Sequence, residues 1–137
     1  RETGRPLVVH SREAHEDVLR ILEEDGRGTV RGVMHCFSGD LSVARRARGS
    51  GFLLGFGGAV TYNPKRSAPL IQAVGLEGIV LETDCPYLTP HPRRNDRNEP
   101  ANIPTIASCI AGYLDLHVAE VERVTDANAI RLFRLPG

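Results

Sequence analysis

Four short runs of apolar residues, each bounded by turn-forming residues, constrain the fold of this chain most strongly. Their apolar character is continuous, which is typical of strands buried on both faces of a parallel sheet. A pattern of helical period follows each run, so the order strand–helix occurs four times. This order predicts an α/β fold with a parallel sheet and right-handed crossovers. The four runs are Pro6–His10, Gly32–Phe37, Phe52–Phe56 and Gly78–Asp84.

The segments between and after these runs predict five helices. Ser11 is the expected N-cap of the first helix, which ends at Gly26, and Asp40 is the expected N-cap of the second, which ends at Gly49 and Gly51. The apolar face of the first helix is expected to consist of Ala14, Val18, Ile21 and Leu22. The other predicted helices are Pro64–Val74, Pro104–Leu114 and Val118–Phe133, and a loop rich in proline and arginine spans Pro86–Pro100.

Length, charge and cysteine count narrow the classes of function. A chain of 137 residues suits one domain, and 17 basic residues balance 17 acidic ones. Zero net charge argues against a protein held to nucleic acid by bulk charge, so an anion site must be local. The apolar runs fall far short of the roughly 20 residues that a membrane span needs, which predicts no membrane partner. Three cysteines predict free thiols in a reducing compartment, and hence the cytoplasm.

Three of the four predicted strands end in a residue that is a good metal ligand. His10 and His35 end the first two strands, and Asp84 ends the fourth. The carboxyl ends of parallel strands meet at the edge where ligands bind in sheets and barrels. A single histidine there is more often a core residue with backbone partners. Three ligand-type residues at corresponding strand ends favour a divalent metal site.

Glu82 lies two residues before Asp84, so strand alternation places both carboxylates on one face. Three roles are open for Glu82: orienting a metal ligand from outside the coordination sphere, contacting substrate, or forming a buried salt bridge with an arginine. Cys36 and Cys85 each follow a predicted ligand, and both thiols are expected to point away from it and pack against the helices. Cys109 is expected in the core. A Cys–His nucleophilic pair is the less favoured alternative.

Arg93, Arg94 and Arg97 lie within five positions of one another, in the loop after the fourth strand. At the mouth of a metal site, these guanidinium groups could bind a substrate phosphate through paired hydrogen bonds. A solvated surface is the commoner explanation for such a cluster. The position of the loop directly after Asp84 is the argument for substrate binding.

Several segments together resemble the TatD family of metal-dependent deoxyribonucleases, within the wider amidohydrolase-type metal hydrolases. They run in the family's order and cover nearly the whole chain, whereas Gly55–Gly58 departs from the serine-containing segment expected there. The matching segments are Val9–Ala14, His35–Gly39, Leu81–Pro90, Arg97–Pro100, and Asn128–Ala129 with Leu132–Phe133.

The resemblance implies a TIM-type (β/α)8 barrel with its site at the carboxyl face. His10, His35 and Asp84 would then be ligands of two divalent ions (Mg, Mn or Zn), and Asp84 would also help to activate the attacking water. Asn98 and Glu99 would shape the loop at the site and take no part in the chemistry.

The resemblance also implies a missing part. The family's His-x-His pair and its metal-bridging glutamate do not occur among the nine residues before His10. A full barrel has eight strands and about 250 residues. Residues 1–137 are therefore expected to form a single domain that is the carboxyl-terminal half of a barrel, strands five to eight, and to be inactive without the amino-terminal half.

Three functions follow as hypotheses. The leading one is a metal-dependent hydrolase that cleaves phosphodiester bonds in DNA, from an end, so that DNA is the expected partner. The second is hydrolysis of an amide or ester, such as an aminoacyl bond on RNA, which the same metal pair could serve. The third is a self-standing α/β domain that binds an anion or a protein and catalyses nothing.

Overall fold

The strands of this protein form one parallel sheet, as the sequence predicts. A computed structural model describes residues 2–26 and 28–136. The strands are β1 (Leu7–His10), β2 (Gly32–His35), β3 (Phe52–Phe56) and β4 (Ile79–Leu81). They pair in the order β1-β2-β3-β4, and every pair is parallel. Each strand therefore pairs with its neighbour in the sequence, and all four carboxyl ends lie at one edge.

In the part of the chain that the structure describes, five α-helices connect and follow the strands. Helices α3 and α5 have the predicted bounds, and α4 begins one residue earlier than predicted. Asp40 caps α2 as predicted, because its Oδ1 accepts a hydrogen bond from the Val43 N–H at 2.9 Å. Within the described ranges, no helix is both long and apolar enough to cross a membrane. The helices are α1 (His15–Glu24), α2 (Leu41–Gly49), α3 (Pro64–Val74), α4 (Ile103–Leu114) and α5 (Val118–Phe133).

The first helix differs from the prediction. Glu13 has a left-handed backbone with φ of 55°, so the helix begins only at His15 and its N-cap is Ala14, not Ser11. The Ser11 hydroxyl instead lies 2.8 Å from His15 Nδ1. The helix also buries a different residue, because Leu19 is fully buried whereas Ile21 is 48% exposed.

Two strands are shorter than predicted. Strand β2 ends at His35 because Cys36 turns into the left-handed region at φ 48°. Strand β4 ends at Leu81, and Asp84 lies three residues farther on, in an isolated antiparallel bridge with Tyr87. Asp84 therefore lies in the turn beyond the strand, where the alternation of side chains between the two faces of the sheet no longer applies.

The two faces of the sheet are covered unequally. All five helices contribute to the core on one face, around Met34, Leu54 and Ile79. On the other face Val33, Leu53 and Val80 pack against Leu132 of α5, with Ala129 and Phe133 beside it. Val8 lies in register with Val33 on this second face but is 63% exposed. The prediction that all four strands are buried on both faces is thus wrong for the edge strand β1.

Glycine at position 32 allows β1 and β2 to approach closely. A Cβ atom at Gly32 would lie 2.0 Å from the Leu7 carbonyl oxygen, which is closer than any real contact. Gly32 is the register partner of Leu7, and the Leu7 N–H donates to the Arg31 carbonyl at 2.9 Å. The absence of a side chain at this one position therefore fixes the alignment of the two strands.

Asn128 joins α5 to the sheet. Its side chain is 2% exposed, and Nδ2 donates to the carbonyl oxygens of both Leu76 and Ile79 at 2.8 Å. Its Oδ1 accepts a hydrogen bond from Arg131 at 2.7 Å. These bonds satisfy two carbonyl groups where the chain enters β4.

We expect Asn128→Ala to lower the free energy of unfolding by about 2–4 kcal/mol, because it leaves buried carbonyl groups without donors. Asp126→Ala, at an exposed position of the same helix, should change it by less than about 0.5 kcal/mol. Urea unfolding of the two variants and the parent protein measures both values. Equal effects of the two substitutions would contradict this role of Asn128.

Candidate metal site

The sheet register brings two of the predicted ligands side by side. His10 and His35 are paired in register at the carboxyl ends of β1 and β2, and their ring centroids are 6.1 Å apart. Because neighbouring residues in register point to the same face of a sheet, both imidazoles lie on the face of Val33. The His10 residue is exposed, whereas the His35 side chain is only 23% exposed.

Glu82 fixes the orientation of His35. Glu82 Oε1 lies 3.0 Å from His35 Nδ1 and accepts a hydrogen bond from the Cys36 N–H at 2.5 Å. A carboxylate only accepts hydrogen bonds, so Nδ1 carries the proton that Glu82 accepts, and Nε2 is the nitrogen that a metal ion could bind once it is deprotonated. Of the three roles that the sequence left open for Glu82, its contacts match the orienting one, because its partner is a histidine and not an arginine.

The other ring nitrogen of His35, Nε2, faces Asp84. His35 Nε2 and Asp84 Oδ1 are 3.4 Å apart. Ligand bonds to zinc or magnesium are about 2.0–2.2 Å long, so two ligands of one ion lie about 3.0–3.6 Å apart. The distance and the donor types therefore fit a divalent cation shared by His35 and Asp84.

These two residues do not complete a site. In residues 2–26 and 28–136, no three histidine, cysteine, aspartate or glutamate side chains converge as a group that could hold a metal ion. The structure brings His35 and Asp84 together. His10 lies beside His35 but does not converge with these two residues on one point. A complete coordination sphere thus needs further groups.

The two carboxylates also set the charge states of their neighbours. Burial of His35 lowers its pKa, but the contacts with Glu82 and Asp84 outweigh this effect and raise the pKa above its ordinary value. Burial and the same two carboxylates raise the pKa of the Cys36 thiol to about 11. A thiol that remains protonated at neutral pH is a poor nucleophile, which argues against a Cys36–His35 pair.

The other thiols differ in their surroundings. Cys85 is exposed, so the prediction that it packs against the helices is wrong: it lies in the turn beyond β4, where strand alternation no longer applies. Cys109 is partly buried against the main core. All three cysteines are free thiols, as predicted.

Gly55 makes room for Glu82, and the sequence did not reveal this role. A Cβ atom at position 55 would lie 2.5 Å from Glu82 Oε2 and 2.7 Å from its Cδ. Strand β3 lies between β2 and β4, so the Glu82 side chain must cross the backbone of Gly55 to reach His35. The signal in the sequence was a glycine within a buried strand, which often marks such a close approach.

Asn98 holds the turn that carries Asp84. Its side chain is 2% exposed and donates to the Tyr87 carbonyl at 2.6 Å, while Oδ1 accepts from the Glu99 N–H and from Asn102 Nδ2. The Tyr87 N–H in turn donates to the Asp84 carbonyl at 2.7 Å. These contacts confirm the prediction that Asn98 shapes the loop.

The three loop arginines have separate surroundings. Arg93 donates to Asn102 Oδ1 at 2.9 Å, and the Arg94 guanidinium lies 4.2 Å from the centroid of the Tyr62 ring, which is a cation–π contact. Arg97 is exposed and lines a cleft of about 290 Å³ together with Cys85, the neighbour of Asp84. Of the three, Arg97 is therefore the one whose place suits binding of a phosphate beside Asp84.

Comparison with known proteins identifies the family of the chain. The family model described as TatD related DNase matches residues 1–134 of the chain. The chain belongs to the TatD-related DNase family.

Relatives within the TatD-related family resemble this chain in sequence and in fold. The metal-dependent hydrolase YabD of Bacillus subtilis is 42% identical over 136 residues, which is 98% of this chain and 53% of YabD. A protein of Cronobacter sakazakii named 3'-5' ssDNA/RNA exonuclease TatD is 35% identical over 138 residues, 96% of this chain and 52% of that protein. The crystal structure of YjjV, a TatD homologue from Escherichia coli, superposes with a TM-score of 0.85 at 28% identity, over 96% of this chain and 51% of YjjV. The chain thus spans about half the length of the relatives it matches.

We expect Gly55→Ala to reduce the affinity of the protein for a divalent cation by about 10–100-fold, because the added methyl group moves Glu82 away from His35. The matched control is Gly112→Ala in α4, where a Cβ atom meets nothing within 4 Å. This control should leave cation binding unchanged and stabilise the helix by up to about 1 kcal/mol. Isothermal titration with Mn²⁺ and thermal unfolding measure the two quantities. Unaltered cation affinity in Gly55→Ala would show that the Glu82–His35 contact does not serve the metal.

Proposed function

We propose that the protein containing this chain hydrolyses phosphodiester bonds of DNA from a strand end, with two divalent ions (Mg, Mn or Zn) as cofactors. The observation that carries the proposal is the placement of His35 between Glu82 and Asp84, with Nε2 and Oδ1 3.4 Å apart. Family membership and the exonuclease name of the Cronobacter relative support the choice of DNA as substrate.

Each residue would have a distinct part in the reaction. When bound, a divalent cation stabilises developing charge on a phosphoryl oxygen and makes water a stronger nucleophile. His35 and Asp84 would bind the cation, with His10 as a further ligand beside His35. Glu82 would keep His35 in the productive tautomer. Asp84 would accept the proton of the attacking water, and Arg97 would hold the phosphate through charge-assisted hydrogen bonds.

We further propose that the chain forms the carboxyl-terminal half of a TIM-type barrel and is inactive alone. The relatives are about twice as long, and the described residues lack a third converging ligand. Val8 is exposed on the same face as the site, where further barrel strands would cover it. The three free thiols suit the cytoplasm as the compartment of the intact protein.

The direct test is an assay of the intact protein on single-stranded DNA labelled at one end, with Mg²⁺, Mn²⁺ or Zn²⁺ added. We expect stepwise shortening from one end that chelation abolishes, whereas the 137-residue chain alone should leave the DNA uncut. Intact DNA in the presence of all three metals, alongside a control nuclease that is active, would refute the proposal.

We expect Arg97→Ala in the intact protein to raise the KM for DNA about tenfold, because the variant cannot form a charge-assisted hydrogen bond to the phosphate. Metal content should stay the same. Arg123→Ala is the control, since Arg123 pairs with Glu120 on α5 at 2.7 Å. Michaelis–Menten analysis separates KM from kcat. An unchanged KM would remove Arg97 from the substrate site.

A further inference from the structure

A second cleft lies at the amino-terminal edge of the sheet, opposite the edge that carries His35. Its volume is about 360 Å³. Its walls come from three separate parts of the chain: the segment before β1, the loop before β2, and the residue that ends α5. Each part contributes one arginine, namely Arg5, Arg31 and Arg134.

These three arginines differ from the paired arginines elsewhere in the chain. Arg20, Arg46 and Arg123 each contact at least one carboxylate within 4 Å. In the described part of the chain, Arg5, Arg31 and Arg134 form no ion pair with a carboxylate, and no acidic residue lines the cleft. Among the residues that the structure describes, no carboxylate therefore neutralises the charge of these three arginines.

A neighbouring cleft shares Arg31 with this one. An adjoining cleft of about 200 Å³ is lined by Arg31 together with Arg131. Burial lowers the pKa of nearby Arg48, and the charge of Arg131 lowers it further. Arg134 holds a left-handed backbone with φ of 55° at the C-cap of α5, a position that glycine usually occupies.

A cleft lined by three arginines and by no acidic residue among those described offers a local attraction to an anion, although the net charge of the chain is zero. Arginine suits phosphate particularly well, because its planar group offers paired donors. We propose that the cleft between Arg5, Arg31 and Arg134 is an anion site that binds a phosphate group. The phosphate comes either from a nucleic acid strand or from a small phosphorylated compound. This site is separate from the candidate metal site and does not rest on the hydrolase activity.

The test compares two double variants of the intact, metal-loaded protein with equal loss of charge. Arg31→Ala with Arg134→Ala removes two guanidinium groups from the cleft, and Arg20→Ala with Arg123→Ala removes two paired arginines from other surfaces. Binding is measured for two probes: inorganic phosphate by calorimetry, and a labelled single-stranded oligonucleotide with phosphorothioate linkages by fluorescence anisotropy.

We expect the cleft variant to bind at least one probe about tenfold more weakly or worse, and the control variant to stay within about twofold of the parent. Weaker binding of the oligonucleotide alone identifies a strand as the source. The slope of log K against log salt should then fall by about one for each phosphate that the variant no longer neutralises. Weaker binding of inorganic phosphate identifies a small phosphorylated compound as a ligand.

Two results would overturn the proposal. One is equal weakening in the cleft and control variants, which would indicate only general charge attraction. The other is unchanged binding of both probes in the cleft variant. Thermal unfolding shows whether weaker binding results from a loss of folding. Removal of these unpaired arginines should leave the Tm unchanged or raise it. Lys replacements of Arg31 and Arg134 retain the charge without the paired donors, so they should restore part of the affinity.

Discussion

The double use of one carboxylate oxygen holds the candidate site together. Glu82 Oε1 accepts hydrogen bonds from the Cys36 N–H and from His35 Nδ1, so the residue after β4 is joined to the end of β2. Strand β3 lies between them, and only a residue without a side chain lets Glu82 pass. Three strands therefore contribute to the orientation of one imidazole. Cys36, whose backbone is left-handed, takes part in the same arrangement, because its N–H is one of the two donors to Glu82.

A net charge of zero conceals local groups of residues with like charge. Glu82 and Asp84 lie beyond the carboxyl ends of the strands, where they raise the pKa of His35. Arg5, Arg31 and Arg134 lie at the amino ends. The composition argued against binding by bulk charge, but it could not indicate that two carboxylates flank one histidine or that three arginines line one cleft. Composition counts charges, whereas the topology decides which of them become neighbours.

The sequence was sufficient for the features that depend on local pattern and on topology rules. The continuous apolar runs predicted the parallel sheet, helical periodicity predicted α3 and α5 with their bounds, and the strand-end rule brought His35 and Asp84 together. It failed where a non-glycine residue adopts a positive φ. The positive φ of Glu13 moves the start of α1 to His15, and that of Cys36 ends β2 at His35. Neither glutamate nor cysteine is a residue type that predicts a left-handed backbone. The role of Gly55 depends on a partner 27 positions away, which only the pairing of β3 with β4 reveals.

The missing side chain at Gly32 has a consequence for how accurately the site is assembled. Among the described residues, strand β1 has a single neighbour in the sheet, and a Cβ atom at its register partner Gly32 would clash with the Leu7 carbonyl. A shift of β1 by one residue would turn its side chains to the opposite faces, so His10 would point among the helices and Val9 would stand beside His35. The same shift would press the Leu7 carbonyl against a residue that carries a side chain. Gly32, at the opposite end of the strand pair, thus helps to fix the register that places His10 beside His35.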